Sequence, residues 1–293
     1  MRDDGNSEGL SRDVAAHPAA SPRPDGASRL LGTAPAPSQP IALFTLGRFA
    51  LVRGGSPLHF HGKSPHKPIE LLQALIAHGG RDVHAELLMA AVWPGDESSD
   101  RRNLFDNTLH RLRHLLECDD ALLVADAKLS LNAERCWLDA WAFDRSAGQH
   151  ERAPAAAPAL RALHLYQGHF LALEAPRHWM HSYRNRLRSR FLRLVAAEGA
   201  RLEAASQWRE AAAWYERGLE LDPQAESLYQ QLMACHHARG AMAEVLRVYA
   251  RCREHLRFGL GVAPSPATEA IRGAAGPSHS TAAVRTASAD AAP

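Results

Sequence analysis

The chain has 293 residues, of which 46% are hydrophobic, so it is long enough for two ordinary domains. Charged residues make up 23% of it and the formal net charge is only +2. The overall charge therefore does not by itself indicate a nucleic-acid partner. No apolar run approaches the roughly 18 residues of a membrane span, and the first residues lack the order of a signal peptide. Four cysteines without a C-x-x-C pair argue against a disulfide scaffold, so we expect a cytoplasmic protein with no membrane association.

Three low-complexity segments divide the chain. Residues 1–40 and 273–293 hold very few large apolar side chains. Burial cannot offset the ordering entropy of such segments, so we expect disordered tails. Residues 153–158, with the sequence APAAAP, predict a short linker. Two folded segments remain, at 41–146 and 158–272.

The first folded segment begins with strand patterns and continues with helical ones. Alternating apolar residues over 41–60 predict an antiparallel sheet. Apolar stripes at helical spacing then predict three helices, at about 68–78, 85–92 and 101–117. A hairpin pattern follows at 122–131. This order predicts an α+β winged helix with an N-terminal antiparallel sheet, three helices and a C-terminal hairpin.

The second folded segment repeats itself after 34 residues. Trp208–Arg217 (WREAAAWYER) aligns with Met242–Arg251 (MAEVLRVYAR), with Glu, Tyr and Arg at matching positions. This period is typical of tetratricopeptide repeats, in which paired helices stack because neither buries its apolar face alone. We therefore expect an all-α, TPR-like helical-repeat domain.

The helix predicted at 101–117 carries the main functional pattern. Its large apolar residues recur at spacings of four, three and four, and polar and basic residues occupy the other side. Arginine pairs with guanine and asparagine with adenine in the DNA major groove, which admits a helix. A solvated helix face is the alternative interpretation. The candidate DNA-binding residues are Asn103, Asn107, His110, Arg111, Arg113, His114 and, at the hairpin tip, Lys128.

The charge distribution qualifies this hypothesis. Residues 41–145 hold 12 Lys and Arg against 14 Asp and Glu, so the segment is not basic overall and its positive charge is concentrated on one helix. Non-specific DNA affinity should be modest, and useful binding would need two copies or partner contacts. Residues 158–272 hold 16 arginines against 11 acids, with a cluster between Arg184 and Arg193. That cluster is either a solvated repeat surface or a contact for DNA or RNA polymerase.

No sequence pattern indicates an enzyme. His59 and His61 have no Cys, Asp or Glu at ligand spacing, so exposed strand histidines are the better interpretation than a metal site. No G-x-S-x-G or H-E-x-x-H motif is present. We expect no catalytic, cofactor-binding or metal-binding residues and no cofactor.

The sequence resembles a known family of regulators. KPIELLQALIAHGGRDVH (67–84), NTLHRLRHLL (107–116) and LSLNAERCWLDAWAF (129–143) are similar to the OmpR/PhoB-type winged helix of Streptomyces antibiotic regulatory proteins. AAWYERGLELDP (212–223) and GLGVAPSPATEAI (259–271) resemble the bacterial transcriptional activator domain (BTAD) of the same proteins.

The resemblance implies a promoter-binding activator whose third helix enters the major groove. It places DNA contacts at Thr108, His110, Arg111 and Arg113. It also implies double-stranded DNA with direct repeats as the partner, self-association on that DNA, and RNA polymerase as a further partner. The alternative is a repeat scaffold for protein partners whose winged helix no longer binds DNA, which the net negative charge of the first segment keeps open.

Overall fold

The computed structural model describes residues 38–58, 65–95 and 100–274. The two predicted tails lie almost wholly outside the described residues, and so do His59 and His61. Within the described chain, a small region with two sheets and three helices precedes a domain of packed helices.

The first sheet joins the two ends of the N-terminal region. Strands β1 (Ile41–Phe44), β2 (Ala50–Arg53) and β3 (Ser56–Pro57) form an antiparallel meander. Strand β7 (Cys136–Leu138) returns to pair in parallel with β1, giving the order β3-β2-β1-β7. The register pairs Leu138 with Leu43, so β1 and β7 end at the same edge of the sheet.

Three helices provide most of the core of this region. Helix α1 (His66–Ala77) packs against both α2 (Ala85–Val92) and α3 (Arg101–Leu116). Their bounds agree with the sequence expectation to within about two residues, because each helix buries one apolar stripe. The stripe of α1 includes Leu72 and Leu75, which are fully buried.

A second, smaller sheet follows α3. Strand β4 (Val83–His84) pairs with β6 (Lys128–Leu131), which pairs with β5 (Leu122–Ala125) in the predicted hairpin. The two turn residues between β5 and β6 have φ angles of 48° and 56°. Positive φ at both central positions matches the twist of a two-residue hairpin loop.

Seven helices build the second region, each packed on its neighbours in the chain. Helices α7 and α9 begin 34 residues apart, at Trp208 and Met242, which is the repeat period of the sequence. The bounds are α4 Asp139–Arg152, α5 Ala156–Leu165, α6 His181–Ala204, α7 Trp208–Leu221, α8 Glu226–Ala238, α9 Met242–Leu260 and α10 Pro266–Ala274.

The second half of the segment predicted as a linker is helical. Helix α5 begins at Ala156, so the connection from α4 is only Ala153–Ala155, and α4 and α5 pack closely. Alanine is the best helix former, and proline is tolerated in a first helical turn because its missing N–H would have no partner there. The alanine and proline composition predicts a linker, but the same residues also suit the first turn of a helix, which is what they form here.

The two regions share one core. A single cluster of buried side chains extends from Ile41 to Leu256. Backbone hydrogen bonds add to it: Gly47 N–H donates to the carbonyl of His169 (2.9 Å), and Leu171 N–H to that of Thr45 (2.8 Å). A Cβ on Gly168 would lie 2.9 Å from the Cα of Gly47, so this approach requires glycine.

Asp139, the first residue of α4, lies at this junction between the N-terminal region and the helical region. It is 3% exposed. Its carboxylate accepts hydrogen bonds from the N–H (2.6 Å) and hydroxyl (2.7 Å) of Thr45 and from the N–H groups of Leu46 (2.8 Å) and Ala140 (2.7 Å). Burial raises the pKa of Asp139 to about 6, against the hydrogen bonds from Leu46, Thr45 and Ala140, which lower it.

The raised pKa predicts a pH-dependent contribution to stability. The folded pKa lies above the unfolded value, so the contribution is fully present below about pH 4 and is lost as pH rises through about 6. In Asp139→Asn this titration is absent, and the amide leaves a buried N–H donor unsatisfied, which costs about 1–3 kcal/mol. The stability advantage of the native protein over the variant should therefore shrink, by on the order of 3 kcal/mol, from about pH 4 to about pH 7.5.

Urea unfolding of both proteins at these two pH values measures this difference. Other titrating groups are common to the two proteins and cancel in the comparison. If the stability advantage of the native protein over the variant instead grew with pH, the hydrogen bonds would outweigh burial. The pKa of Asp139 would then be lowered and not raised.

Candidate nucleic-acid interface

Helix α3 presents a polar face opposite its buried stripe. Phe105, Leu109 and Leu112 are buried against α1 and α2. At about 100° per residue, the positions diametrically opposite carry exposed side chains. These are Asn103, Asn107, His110 and His114, spaced four, three and four residues apart. We call these four residues the outer row of α3.

Arg111 flanks the outer row. Its side chain is exposed, and within the described residues it makes no ion pair or hydrogen bond. Arg101 and Arg102, at the start of the helix, are instead paired with Glu86 (3.4 Å) and Asp106 (3.3 Å). Arg111 is therefore the arginine of α3 with both the exposure and the freedom to engage an outside acceptor.

Arg113 and Thr108 lie elsewhere than the sequence suggested. Arg113 is half-buried on the opposite flank, and its guanidinium donates to the carbonyl of Leu122 in β5 (3.4 Å). Its Nε is buried without a hydrogen-bond partner. Thr108 is 6% exposed and belongs to the buried face. Local spacing could not give this result for Arg113, because its partner comes from the hairpin.

Lys128 begins β6, at the hairpin turn. It pairs with His84 of β4, just before α2 begins. Its side chain is partly exposed. The candidate contacts therefore fall into two groups, one along α3 and one at the hairpin turn. Sequence reasoning did not mark the exposed apolar side chains of this region, which are Leu87 (48%), Leu104 (40%), Leu123 (46%) and Val124 (50%).

Acidic residues around α3 are largely engaged in internal pairs. Glu117, at the end of the helix, pairs with Arg53 (2.8 Å), and Asp120 pairs with Arg135 (2.7 Å). Hydrogen bonds from Cys118 and Arg135 hold the pKa of Asp120 below its usual value. The acids that make the first segment net negative therefore lie outside the outer row, and those nearest to α3 are mostly paired.

The arginine cluster of the second region is also mostly internal. Arg184 donates to the backbone carbonyls of Phe170 and Leu171, both at 2.8 Å. The next three arginines pair with acids outside α6, and Arg193 is exposed. Those pairs are Arg186 with Asp144, Arg188 with Asp222, and Arg190 with Asp144 and Glu151. Neither interpretation from the sequence included this internal role.

The described residues hold no other obvious centre of chemistry. Among them, no group of three or more His, Cys, Asp or Glu is placed to hold a metal ion. No helix of the described chain is long and apolar enough to cross a membrane.

Comparison with known proteins relates the second region to a domain family. Residues 138–274 match the bacterial transcriptional activator domain, and we call this range the activator domain after that match. The range assigned to this activator domain includes all of α4, whereas the predicted first segment ended inside that helix, at residue 146. Asp139 is thus the second residue of the matched range, although its hydrogen bonds reach back to Thr45 and Leu46, just after β1.

A solved structure has a similar fold. Mycobacterium tuberculosis EmbR, in complex with a low-affinity phosphopeptide, matches with a TM-score of 0.60 and 20% sequence identity. The match covers 81% of this chain and 65% of that chain, so this chain spans about two thirds of that protein's length. At this identity the likeness establishes the fold alone. The comparison with curated protein sequences gave no match.

The internal arginines of the activator domain should matter for stability. Arg188 makes a two-pronged contact with Asp222 (2.6 and 3.1 Å), whose side chain is 3% exposed. Arg188→Ala leaves the buried carboxylate of Asp222 without its ion-pair partner, which typically lowers the free energy of unfolding by about 3–5 kcal/mol. Because Arg188 is 37% exposed and water screens the pair, we expect a loss of about 2 kcal/mol in urea unfolding.

The matched control is Arg193→Ala, on the same helix. Arg193 is exposed, so this change should alter the unfolding free energy by less than about 0.5 kcal/mol. Equal effects of the two substitutions would contradict the assignment of Arg188 as an internal contact.

Proposed function

We propose that the protein is a DNA-binding transcription regulator that acts as a promoter-binding activator. The N-terminal region would be an OmpR/PhoB-type winged helix, with α3 as the recognition helix and the β5–β6 hairpin as the wing. The observation that carries the proposal is the outer row of α3, whose four exposed polar side chains lie beside Arg111 on a helix with buried leucines. Arg111 makes no ion pair with any residue that the structure describes. The match of the following region to an activator domain supports the same class.

The chemistry of the outer row suits base edges. The amides of Asn103 and Asn107 can make paired hydrogen bonds to adenine, and Arg111 can make them to guanine. His110 and His114 offer ring nitrogens to bases or phosphates in the same groove. All of these residues except Arg111 lie along one line of the helix, as a helix inserted in the major groove requires.

The remaining candidates receive different roles. Arg113 would support the hairpin through its contact with Leu122, and Lys128 would reach a phosphate from the hairpin turn. Thr108 is left out of the contact surface because its side chain is buried.

The activator domain would serve association rather than DNA reading, because four of its five clustered arginines are engaged internally. We propose self-association on direct repeats and contact with RNA polymerase as its functions, in the cytoplasm and without a cofactor. A single N-terminal region with few free cations should bind DNA modestly, and two linked copies raise the effective concentration of the second contact.

A protein-interaction scaffold without DNA affinity is the second candidate. The observation that favours it is the excess of acids in residues 41–145. Retention on heparin that falls steeply with added salt separates the two, since only the DNA-binding candidate depends on phosphate-like anions.

The proposal predicts the effect of two substitutions on the outer surface of α3. Selection of bound duplexes from a random library first supplies the target sequence. Asn107→Ala and Arg111→Ala should each then weaken binding to that duplex by about 1–3 kcal/mol, or roughly 5- to 150-fold. Helical content should stay unchanged because both side chains are exposed. Fluorescence anisotropy and circular dichroism measure these two properties.

The control is Arg102→Ala, on the same helix. Arg102 is paired with Asp106 and lies away from the outer row, so its loss should change affinity less than either test substitution. Unchanged binding by both test variants, with their fold intact, would refute α3 as the recognition helix.

A further inference from the structure

A cleft of about 400 Å³ lies between the N-terminal region and the activator domain. One wall is α1, and the other is the segment Glu174–Met180 that leads into α6. Its size falls within the range of small-molecule sites, which commonly form where two structural units meet.

Two hydrogen-bond donors beside this cleft have no partner among the residues that the structure describes. They are the amide nitrogen of Gln73, from α1, and the indole N–H of Trp179, from the facing segment. The two side chains are only 5% and 6% exposed. Buried polar groups in folded proteins are paired in the large majority of cases, so each of these unpaired donors calls for an acceptor.

The rest of the lining defines what such a molecule would look like. Phe49, Ile69 and Met180 contribute apolar surface, which suits an apolar body. Glu70 is already neutralised by Lys67 (3.0 Å) and Arg177 (3.2 Å). Glu174 makes no ion pair within the described residues, so its carboxylate is a local partner for a cationic group of the ligand.

We infer that this cleft binds a mainly apolar, uncharged or cationic small molecule that bears a carbonyl acceptor. The carbonyl accepts from Gln73 and Trp179, the body lies against the apolar wall, and an amine is favoured beside Glu174. Because the cleft has one wall in each region, occupancy also offers a route for a chemical signal to reach α3. That regulatory consequence alone rests on the proposed function, whereas the binding site does not.

Stability measurements on the ligand-free protein test the unpaired donors. Trp179→Phe and Gln73→Leu remove donors that have no partner, so the melting temperature of the full chain should stay the same or rise. Trp141→Phe is the matched control, because its indole N–H donates to the carbonyl of Gly79 at 3.0 Å and its loss should lower the melting temperature. A fall for Trp179→Phe equal to that of the control would overturn the inference.

Binding of a defined probe tests the site itself. Procainamide carries an aromatic amide and a protonated amine, and 4-acetamidobenzoate carries an aromatic amide and a carboxylate. Saturation-transfer NMR on the full chain should detect procainamide binding at millimolar concentration and weaker or no binding of the benzoate. Trp179→Phe and Gln73→Leu should each weaken procainamide binding roughly three- to tenfold, the loss of one hydrogen bond.

Absence of procainamide binding, preference for the anion, or affinity unchanged in both variants would each overturn the inference. No arm of the experiment includes DNA. A failure of this site is therefore distinguishable from a failure of DNA binding.

Discussion

The buried side chain of Asp139 joins the two regions at their junction through hydrogen bonds. It lies where β1 and β7 end and α4 begins, and it receives hydrogen bonds from Thr45, Leu46 and Ala140. The same turn of chain carries the backbone pairing between residues 45–47 and 169–171. The sheet that supports the N-terminal helices is thereby fixed to the activator domain, and the two regions share one core instead of being joined by a flexible linker.

The distribution of ion pairs determines which charges remain for partners. In the activator domain, Arg188 and Arg190 stabilise the packing of α6 through Asp222, which follows α7, and Asp144 of α4. In the N-terminal region, Arg101 and Arg102 are paired, while Arg111 is not paired within the described residues. Counting charges along the sequence therefore misjudges both regions. The arginines of the second region are less available to anions than its net positive charge suggests. Helix α3 is more available to anions than the net negative charge of the first segment suggests.

The sequence predicted what depends on local periodicity. The apolar spacing of Phe105 and Leu109 gave the bounds and the buried face of α3, and the 34-residue repeat gave the starts of α7 and α9. It did not predict what depends on contacts distant along the chain. The partner of Arg113 lies in the hairpin, and that of Arg188 lies 34 residues away. Asp139 could not be predicted because a single aspartate forms no sequence pattern. The N–H groups that donate to its carboxylate lie 94 and 93 residues earlier in the chain.

Site-specific photo-crosslinking decides whether the outer row of α3 faces a DNA groove. The photoreactive p-azidophenylalanine is placed at His110 in one protein and at Arg161, exposed on α5, in another. If the outer row faces DNA, the probe at position 110 crosslinks to the selected duplex on irradiation and the probe at position 161 does not. Crosslinking from position 161 alone, with DNA binding retained in both proteins, would contradict it.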